Sequence, residues 1–563
     1  MHGLAKIKSS EEEKEKKRKE REQKVQHYKT GMAKILAKRK NQEHDNEALS
    51  LVADMLMNNP DIYTLWNFRK EILITYKKEK SDEDLAKLLS NELGLTEVCL
   101  KCNPKSYCAW YHRLWLISNW PTPDLMVELN LCNKYLKLDE RNFHCWDYRR
   151  AVVSLLGLQP AEELQYTLTK IEENFSNYSS WHYRSKLLPL IYPDPAGVRP
   201  VEEKSHLYEL ELVENAAFTD PNDQSAWFYL RWLLGRLQPP LKAVVLSGTN
   251  GGRLCAAFNR SVKFCDQDIK EEGVNASVDC IPQAKWMSLC YTHDAGNHSS
   301  KAWFVELPAN VGDIMKVSFI FKDGHKEEVT LQKNNGYCWS SEPVFDSPFS
   351  PNLRTVLKQQ LSSCDQLLEL EPESKWTLLT STVLMQALDK YSYKDSILRR
   401  LELLKKCDKL RANYYDDLRS KFLIECLLQK WDFSDKISLA NLDLTTVCHS
   451  QYLIGAISVD LSNNRLSRSL LDLYTLSKCQ VLNLDKNNLE SLKGLPRLPA
   501  LKTLTLHGNK LSSVEAIVPY LSKHKGLERL VVSNNPIATH GFGDLAMALP
   551  GVSIICDSQS NQL

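Results

Sequence analysis

The sequence has 563 residues, which is too long for a single core and predicts two to four domains. Hydrophobic residues make up 43% and charged residues 25%, as in ordinary globular proteins, and the formal net charge is only +2. A net charge so close to zero gives no electrostatic reason to expect nucleic-acid binding. The apolar runs are far shorter than the ~20 residues of a transmembrane helix, and the first residues lack a secretory-type apolar segment. We therefore expect a cytoplasmic protein with no transmembrane segment and no nucleic-acid partner.

Residues 11–24 are nearly all Glu, Lys and Arg, which predicts a solvated helix with ion pairs between neighbouring turns. His2 precedes this segment and could reach a metal from a mobile arm, so its role is left open. Cys99 and Cys102 form a Cys-x-x-Cys motif, but no second pair of metal ligands lies nearby in the sequence. We expect these two cysteines to pack within a helix and to bind no metal.

A motif built on tryptophan and arginine recurs along the first half of the chain. In its fullest form it reads Asn-Pro-x-x-Tyr-x-x-Trp, with an arginine three residues after the tryptophan. Its first five tryptophans are Trp66, Trp110, Trp146, Trp181 and Trp227, spaced 35 to 46 residues apart by their numbers. The fifth copy has Leu230 in the usual arginine position and Arg231 one place later, and a sixth copy at Trp376 lacks the arginine. This spacing predicts repeated helix–turn–helix units.

The local chemistry of the motif indicates where its helices begin and what holds them together. Asn59 and Asn103 each precede a proline, which predicts that the asparagine caps the start of a helix. Trp and Arg three residues apart share a helix face, so the indole can be buried between neighbouring hairpins. The guanidinium can then bond carboxylates or carbonyls across the join. We assign these residues to the scaffold and not to chemistry.

The helical pattern stops between about Pro239 and Pro351. Alternating segments take its place, most clearly at residues 316–321 and 327–331 on either side of Asp323-Gly324, which predicts a hairpin with positive φ in its turn. Shorter strand-like runs occur at 254–258, 286–291 and 302–305. Together they predict a small β-sandwich inserted in a loop between helices.

A second repeat begins after about residue 441. Four copies of Leu-x-Leu-x-x-Asn-x-Leu, with Val or Ile at some positions, place their asparagines 22 to 26 residues apart, at Asn464, Asn487, Asn509 and Asn535. An earlier copy has Leu442 in place of asparagine and is interpreted as a cap. This is the pattern of leucine-rich repeats, in which leucines fill the interior and each asparagine satisfies backbone groups at the turn. Such a segment is suited to protein contacts and not to catalysis.

The run from Asn103 to Trp115, Asn-Pro-Lys-Ser-Tyr-x-x-Trp-x-x-Arg-x-Trp, resembles the repeat of protein prenyltransferase α subunits. The resemblance covers about residues 20–236 and resumes at about 353–441. It implies a mainly α protein, an α-α superhelix of helical hairpins with an inserted β-sandwich and C-terminal leucine-rich repeats. The expected domains are 1–238 for the first part of the superhelix, 239–352 for an immunoglobulin-like insert, 353–441 for the second part and 442–563 for the leucine-rich repeats.

Residues 142–150, 174–184, 218–229 and 416–425 resemble the α chains of this family that act on Rab GTPases. This implies the α subunit of a heterodimer that transfers geranylgeranyl from geranylgeranyl diphosphate to C-terminal cysteines of Rab proteins presented by a Rab escort protein. The family holds its zinc and its lipid pocket on the β subunit, so this chain alone should be inactive. Two alternatives stay open: an α subunit acting on CaaX proteins, which generally lacks the insert and the tail, and a non-enzymatic repeat-protein adaptor. Co-purification of a β chain would separate the adaptor from the enzyme subunit.

No phosphate loop, hydrolase motif or zinc-spaced cluster is present in the sequence. The resemblance places the contribution of this chain at the first turns of the repeat helices. There Lys105 matches the family lysine that reaches the diphosphate, and Tyr107 matches the tyrosine that supports it. In the next repeat Phe143-His144 stands where the family often has Tyr-His, so only His144 carries over, as a diphosphate or interface contact. The alternative for Lys105 is an ordinary exposed lysine after a turn.

Overall fold

The computed structural model of the chain describes residues 11–556, except for 121–122, 236, 249–251, 265–272, 282, 290–298, 334–335, 347–348 and 468–469. It divides into two units, Met1–Tyr192 and Pro193–Leu563. Among the described helices, none combines the length and apolarity that crossing a bilayer requires.

The first unit consists of consecutive helices that pack in pairs. Its helices are α1 (Glu11–Lys40), α2 (Asn46–Asn58), α3 (Tyr63–Glu79), α4 (Asp82–Cys102), α5 (Tyr107–Asn119), α6 (Leu125–Leu138), α7 (Phe143–Leu156), α8 (Pro160–Glu173) and α9 (Tyr178–Ile191). The charged start of α1 is helical and exposed, and Arg18 pairs there with Glu15 at 2.6 Å and with Glu22 at 2.9 Å. The predicted solvated helix with ion pairs between turns is confirmed.

The asparagine before each proline does not begin a helix, so that prediction was wrong. Asn103 ends α4, its backbone N–H bonds Cys99, and its side-chain oxygen accepts from the Lys105 N–H at 3.1 Å. The residue that caps α5 is Ser106, whose hydroxyl accepts from the Ala109 N–H. Asn-Pro therefore forms a tight turn between two helices, because the asparagine side chain satisfies a backbone donor two residues on.

Each motif tryptophan closes the turn that precedes its own helix. In all five copies the indole Nε1–H donates to the carbonyl six residues earlier, at 2.7 to 3.1 Å. The pairs are Trp66 to Pro60, Trp110 to Pro104, Trp146 to Glu140, Trp181 to Phe175 and Trp227 to Pro221. The rings themselves are at most 4% exposed. Burial of the ring and satisfaction of its donor thus fix every turn in the same geometry.

The motif arginines join neighbouring helices, as the sequence predicts. Arg113 donates to both carboxylate oxygens of Glu128 at 2.6 and 2.7 Å and to the Leu93 carbonyl at 2.8 Å. Arg69 with Glu92 and Arg149 with Glu163 repeat this two-pronged pairing. All six of these side chains are buried, so their charges are compensated inside the packed helices.

The second unit begins and resumes with helices on either side of the insert. These are α10 (Glu203–Thr219), α11 (Gln224–Leu234), α12 (Pro351–Leu370), α13 (Lys375–Asp389), α14 (Lys394–Cys407) and α15 (Ala412–Leu428). Helix α11 packs against α13, although the insert and α12 lie between them in the sequence. In α11 the apolar Leu230 is buried at the position where the other repeats have arginine.

The insert is a folded-over β structure. Its strands are β1 (Ala243–Gly248), β2 (Arg253–Phe264), β3 (Gly273–Val278), β4 (Met287–Ser288), β5 (Ser300–Glu306), β6 (Ile314–Phe321), β7 (Lys326–Gln332) and β8 (Cys338–Ser340). β2 pairs with β1 and β5 along its first part and with β3 through its last two residues, so it links two layers around one core. Phe258 of β2 meets Phe319 of β6 edge to face at 5.3 Å within that core. The predicted hairpin joins β6 to β7, and Gly324 in its turn has φ of 82°.

The C-terminal part forms one sheet of parallel strands with short helices between them. Its elements are β9 (Lys436–Ser438), β10 (Ser458–Asp460), β11 (Val481–Asn483), β12 (Thr503–Thr505), α16 (Val518–Leu521), β13 (Arg529–Val531), α17 (Pro536–His540), α18 (Phe542–Ala548) and β14 (Ser553–Ile555). Asn509 accepts from the backbone of Asn487 and Leu489 and donates to the carbonyls of Leu484 and Leu506. The predicted satisfaction of backbone groups by asparagine is confirmed at this position.

The C-terminal repeats are bonded to the rest of the second unit at several points. Arg465 pairs with Asp416 of α15 at 3.1 Å, and Lys478 donates to the Gly248 carbonyl of β1 at 2.7 Å. The Phe345 ring, just before α12, lies 4.6 Å from the His449 ring. These contacts join the repeats to both the insert and the last long helix.

Candidate functional site

The candidate site lies on the turns that precede α5 and α7, and those turns are bonded to their neighbours. Ser106 donates to the Asp61 carboxylate at 2.6 Å, and the Asn103 amide donates to the other Asp61 oxygen at 2.9 Å. On the other side the Asn142 amide donates to the Pro104 carbonyl at 3.0 Å. The turn that carries Lys105 is therefore held from both sides, while the lysine itself points outward from a rigid support.

Lys105 is exposed, and among the residues that the structure describes it has one ion-pair partner, Asp139. Its side chain is 68% exposed, and its ammonium lies 3.3 Å from Asp139, the residue that ends α6. An exposed ion pair of this kind is weak, of order 1 kcal/mol or less. The ammonium can therefore leave Asp139 at little cost when a more highly charged anion is present.

Tyr107 and His144 meet at the first turns of their helices. Tyr107 is the first residue of α5, and its ring lies edge-on to the His144 ring with centroids 4.2 Å apart. Phe143, the first residue of α7, contacts both rings, at 5.9 Å from Tyr107 and 3.9 Å from His144. The structure thus brings two residues from different repeats, separated by more than thirty positions in the sequence, into one aromatic group.

His144 is the buried member of this group. Burial lowers the pKa of His144 below its ordinary value; the Asp147 carboxylate raises it, and the Lys105 charge lowers it again. The imidazole is consequently uncharged near neutral pH. It can donate one hydrogen bond and accept another, and the positive charge in the site comes from Lys105.

The helix ends add to this positive character. The first N–H groups of an α-helix point outward and carry partial positive charge, which favours an anion. In α7 the Asn142 side chain already accepts from the N–H groups of His144 and Cys145, so the helix end that contributes here is that of α5. Lys105, the end of α5 and the neutral rings together present a cationic surface with an aromatic wall, which suits a phosphate or diphosphate group.

The sequence analysis missed a row of exposed aromatic side chains. The first helical residues of α3, α5, α7 and α9 are Tyr63, Tyr107, Phe143 and Tyr178, and each is between 48% and 68% exposed. Four large rings at equivalent positions form a repeated apolar surface, which marks an interaction site. The signal was present in the sequence motif, where an aromatic residue stands three places before the motif tryptophan in each of the first four copies.

The described residues contain no group of three or more His, Cys, Asp or Glu side chains placed to hold a metal ion. Cys99 is buried in α4 and its thiol donates to the Leu56 carbonyl, whereas Cys102 is exposed at the helix end. Burial raises the pKa of the Cys99 thiol to about 12. Cys99 therefore contributes to helix packing, whereas Cys102 faces solvent. His2 lies outside the described residues.

Comparison with known proteins gives consistent relatives over the whole length. The protein prenyltransferase alpha subunit repeat matches residues 45–76, 89–120, 125–156, 160–191 and 207–237. "Geranylgeranyl transferase type-2 subunit alpha" of Rattus norvegicus is 42% identical over 572 residues, covering 99% of this chain and 100% of the relative. The protein of the same name from Homo sapiens is 42% identical over 577 residues, with the same coverage.

Among solved structures, a chain of Candida albicans protein geranylgeranyltransferase-I complexed with GGPP has 18% sequence identity and a TM-score of 0.40. The match covers 70% of this chain and 90% of that chain. A likeness at this level carries no conclusion about the site.

Proposed function

This chain belongs to the protein prenyltransferase α subunit family, as a geranylgeranyl transferase type-2 α subunit, and on that basis we propose its reaction and its partners. The chain pairs with a prenyltransferase β subunit to form a Rab geranylgeranyltransferase. This heterodimer transfers geranylgeranyl from geranylgeranyl diphosphate to C-terminal cysteines of Rab GTPases. The Rab protein is presented by a Rab escort protein, and the reaction takes place in the cytoplasm.

The observation that carries the proposal is the ring contact between Tyr107 and His144 at the starts of α5 and α7, with the exposed Lys105 in the turn just before α5 and its charge acting on His144. In the transfer, the cysteine sulfur bonds to the first carbon of the lipid while the carbon–oxygen bond to the diphosphate breaks. Negative charge builds on the departing diphosphate, and the exposed Lys105 ammonium and the helix N-terminus of α5 stabilise it. Tyr107 supports the diphosphate with its hydroxyl, and the neutral His144 holds the Tyr107 ring in place.

We propose that zinc and the lipid pocket belong to the β subunit. Zinc bound there would stabilise the thiolate of the acceptor cysteine. The row of exposed aromatic residues, Tyr63, Tyr107, Phe143 and Tyr178, supports a large partner surface next to the diphosphate site. A permanent heterodimer of this kind buries more than the ~1,600 Å² of a standard interface.

The test is Lys105→Ala in the assembled heterodimer, measured by single-turnover transfer to Rab protein with escort protein present. We expect the rate to fall by roughly 10- to 1,000-fold, because the lost charge acts as the bond breaks, while affinity for the lipid diphosphate changes much less. The matched control is Lys101→Ala. Lys101 is 63% exposed on α4 and pairs with Glu97, so its loss should leave the rate unchanged.

An unchanged rate for Lys105→Ala, in a complex shown to be assembled and saturated with lipid, contradicts the role given to Lys105. A CaaX-type enzyme would instead modify short peptides ending in a CaaX sequence without escort protein. An adaptor would bring down no β chain when purified from its source.

A further inference from the structure

The arginine of the fifth repeat differs from all the paired motif arginines of the first unit. Arg69, Arg113 and Arg149 each face a buried glutamate. Arg231 stands one residue later in its helix and therefore lies on another face of α11. Its guanidinium carbon sits 4.5 Å from the Phe228 ring centroid and 5.5 Å from that of Trp376.

No carboxylate compensates Arg231 among the described residues around it. Its Nη1 atom is buried and has no hydrogen-bond partner in the described part of the chain. Burial opposes the charge of Arg113 and Arg149, but their glutamates raise the pKa of both. For Arg231, burial is the largest cause and lowers the pKa. Tyr414 and Tyr415 raise it, and the charge of Arg411 lowers it again. A half-buried cation without an anion is unfavourable, so this position is incomplete on its own.

Two further cations surround the same tryptophan. The Lys375 ammonium lies 5.1 Å from the Trp376 centroid, and the Arg411 guanidinium lies 5.6 Å from it. The nearby Asp408 is already engaged, since it accepts from Arg411 at 2.7 Å and from the Tyr415 hydroxyl at 3.0 Å. The Lys375 charge also lowers the pKa of Asp408, and Glu373 is exposed in the turn before α13. The three cations at Trp376 therefore outnumber these two carboxylates.

Exposed apolar side chains border these cations. Leu410 is 99% exposed and Tyr414 is 50% exposed, both next to Arg411 in the sequence. We define the Trp376 patch as Arg231, Lys375, Trp376, Leu410, Arg411 and Tyr414. A small inorganic anion would use the cations alone, whereas a polypeptide with acidic and apolar side chains would use both parts. Arginine, tryptophan and tyrosine are also the residues that dominate binding energy at protein interfaces.

We propose that the Trp376 patch is a docking site for an acidic segment of a protein other than the β subunit, in which a carboxylate reaches Arg231 and an apolar side chain covers Leu410. Its residues belong to the second unit, whereas Lys105, Tyr107 and His144 belong to the first. Its occupant supplies the anion that Arg69, Arg113 and Arg149 find within this chain.

The probe is a fluorescein-labelled peptide of glutamate with interspersed leucine and phenylalanine, followed by fluorescence anisotropy on the full-length chain. We expect binding that weakens with added salt and is lost when glutamine replaces every glutamate. Arg231→Gln and Lys375→Gln should each raise the dissociation constant about tenfold, as the loss of a charge-assisted contact does. Lys358→Gln is the matched control, since Lys358 is an exposed lysine on α12 of the same unit, and it should bind as wild type does.

The same titration is repeated on the complex with the β subunit. Retained binding supports docking of a further protein. Loss of binding there, with binding by the chain alone, overturns the proposal, because the patch would then be covered by the β subunit as part of the heterodimer interface. The proposal is overturned if the wild-type chain does not bind the peptide, or if Arg231→Gln and Lys375→Gln bind it unchanged. Displacement of the peptide by equimolar inorganic diphosphate also overturns it, because the patch would then be a small-anion site. Lys375→Gln removes a half-exposed side chain and provides the test even where Arg231→Gln fails to fold.

Discussion

Replacing Arg113 by alanine tests whether the buried arginine–glutamate pairs hold the helices beneath the site. Arg113 is 3% exposed and makes four hydrogen bonds, two to Glu128, one to the Leu93 carbonyl and one to the Thr96 hydroxyl. Glu128 is 1% exposed in the wild type. Without Arg113, the hydrogen bond that remains to its carboxylate is the one from the Tyr148 hydroxyl, at 2.6 Å. The change therefore leaves a carboxylate buried without a cation.

Removing one partner of a buried ion pair costs about 3–5 kcal/mol, since the remaining charge is desolvated and unpaired. For a folding unit of this size, 1 kcal/mol shifts the unfolding midpoint by about 2–4 °C. Arg113→Ala should thus lower the midpoint of the first unit by about 6–20 °C. The helices that lose protection first should be α4, α5 and α6, because Arg113 lies in α5 and donates to Leu93 of α4 and to Glu128 of α6.

The assay is hydrogen exchange by mass spectrometry, which reports the protection of each helix separately. A double-mutant cycle with Glu128→Gln measures the coupling between the two side chains. Lys101→Ala, which breaks an exposed pair with Glu97, is the control and should change stability by less than about 1 kcal/mol. Arg113→Ala with wild-type protection in α4 to α6 would refute the view that these pairs hold the repeat together.

Three further predictions concern the second unit. His206 is fully buried, both ring nitrogens lack a hydrogen-bond partner among the described residues, and burial lowers its pKa to about 4. Because the unfolded chain binds a proton below about pH 6.5 and the folded chain does not, the wild type should lose about 2–3 kcal/mol between pH 7 and pH 4.5 that His206→Leu retains, as measured by urea unfolding. Asn509→Ala removes four hydrogen bonds to buried backbone groups and should lower the unfolding free energy by about 2–4 kcal/mol; calorimetry with an unchanged transition would contradict this. Deleting residues 442–563 removes the Arg465–Asp416 and Lys478–Gly248 contacts, so limited proteolysis should cut residues 193–441 faster while α1–α9 stay protected; equal resistance of both units would show those contacts to be dispensable.

The periodicities in the sequence predicted the helical repeats, the inserted strands and the C-terminal asparagine ladder. Each of these patterns repeats one local solution, so the same few residue types recur at the same spacing. The hairpin at Gly324 was likewise predictable, because its turn needs positive φ that glycine adopts without strain. β1, β3, β8 and β14 were not predicted, since short strands without a turn signal or alternating pattern leave little trace in a sequence.

The candidate site was predicted in part. Lys105, Tyr107 and His144 came from a resemblance to a family, and no physical property of their neighbours in the sequence singles them out. The ion pair with Asp139 and the row of first-turn aromatic residues were missed, although the aromatic position is visible in the motif. The error about Asn59 and Asn103 arose because an Asn-Pro step fits both a helix start and a turn, and only the packed turn distinguishes them.

The sequence by itself determined which elements form, because hydrophobic period, turn residues and repeat length act over a few neighbouring positions. Only the tertiary structure decided which side chains meet: Arg113 with Glu128, Tyr107 with His144, and Arg231 with Trp376. Each of these pairs joins residues from different helices, at a distance along the chain that no local pattern encodes. Arg231 stands one position later in its helix than Arg69, Arg113 and Arg149 do in theirs, and it meets the rings of Phe228 and Trp376 where those three meet a buried glutamate, because successive residues of a helix point about 100° apart.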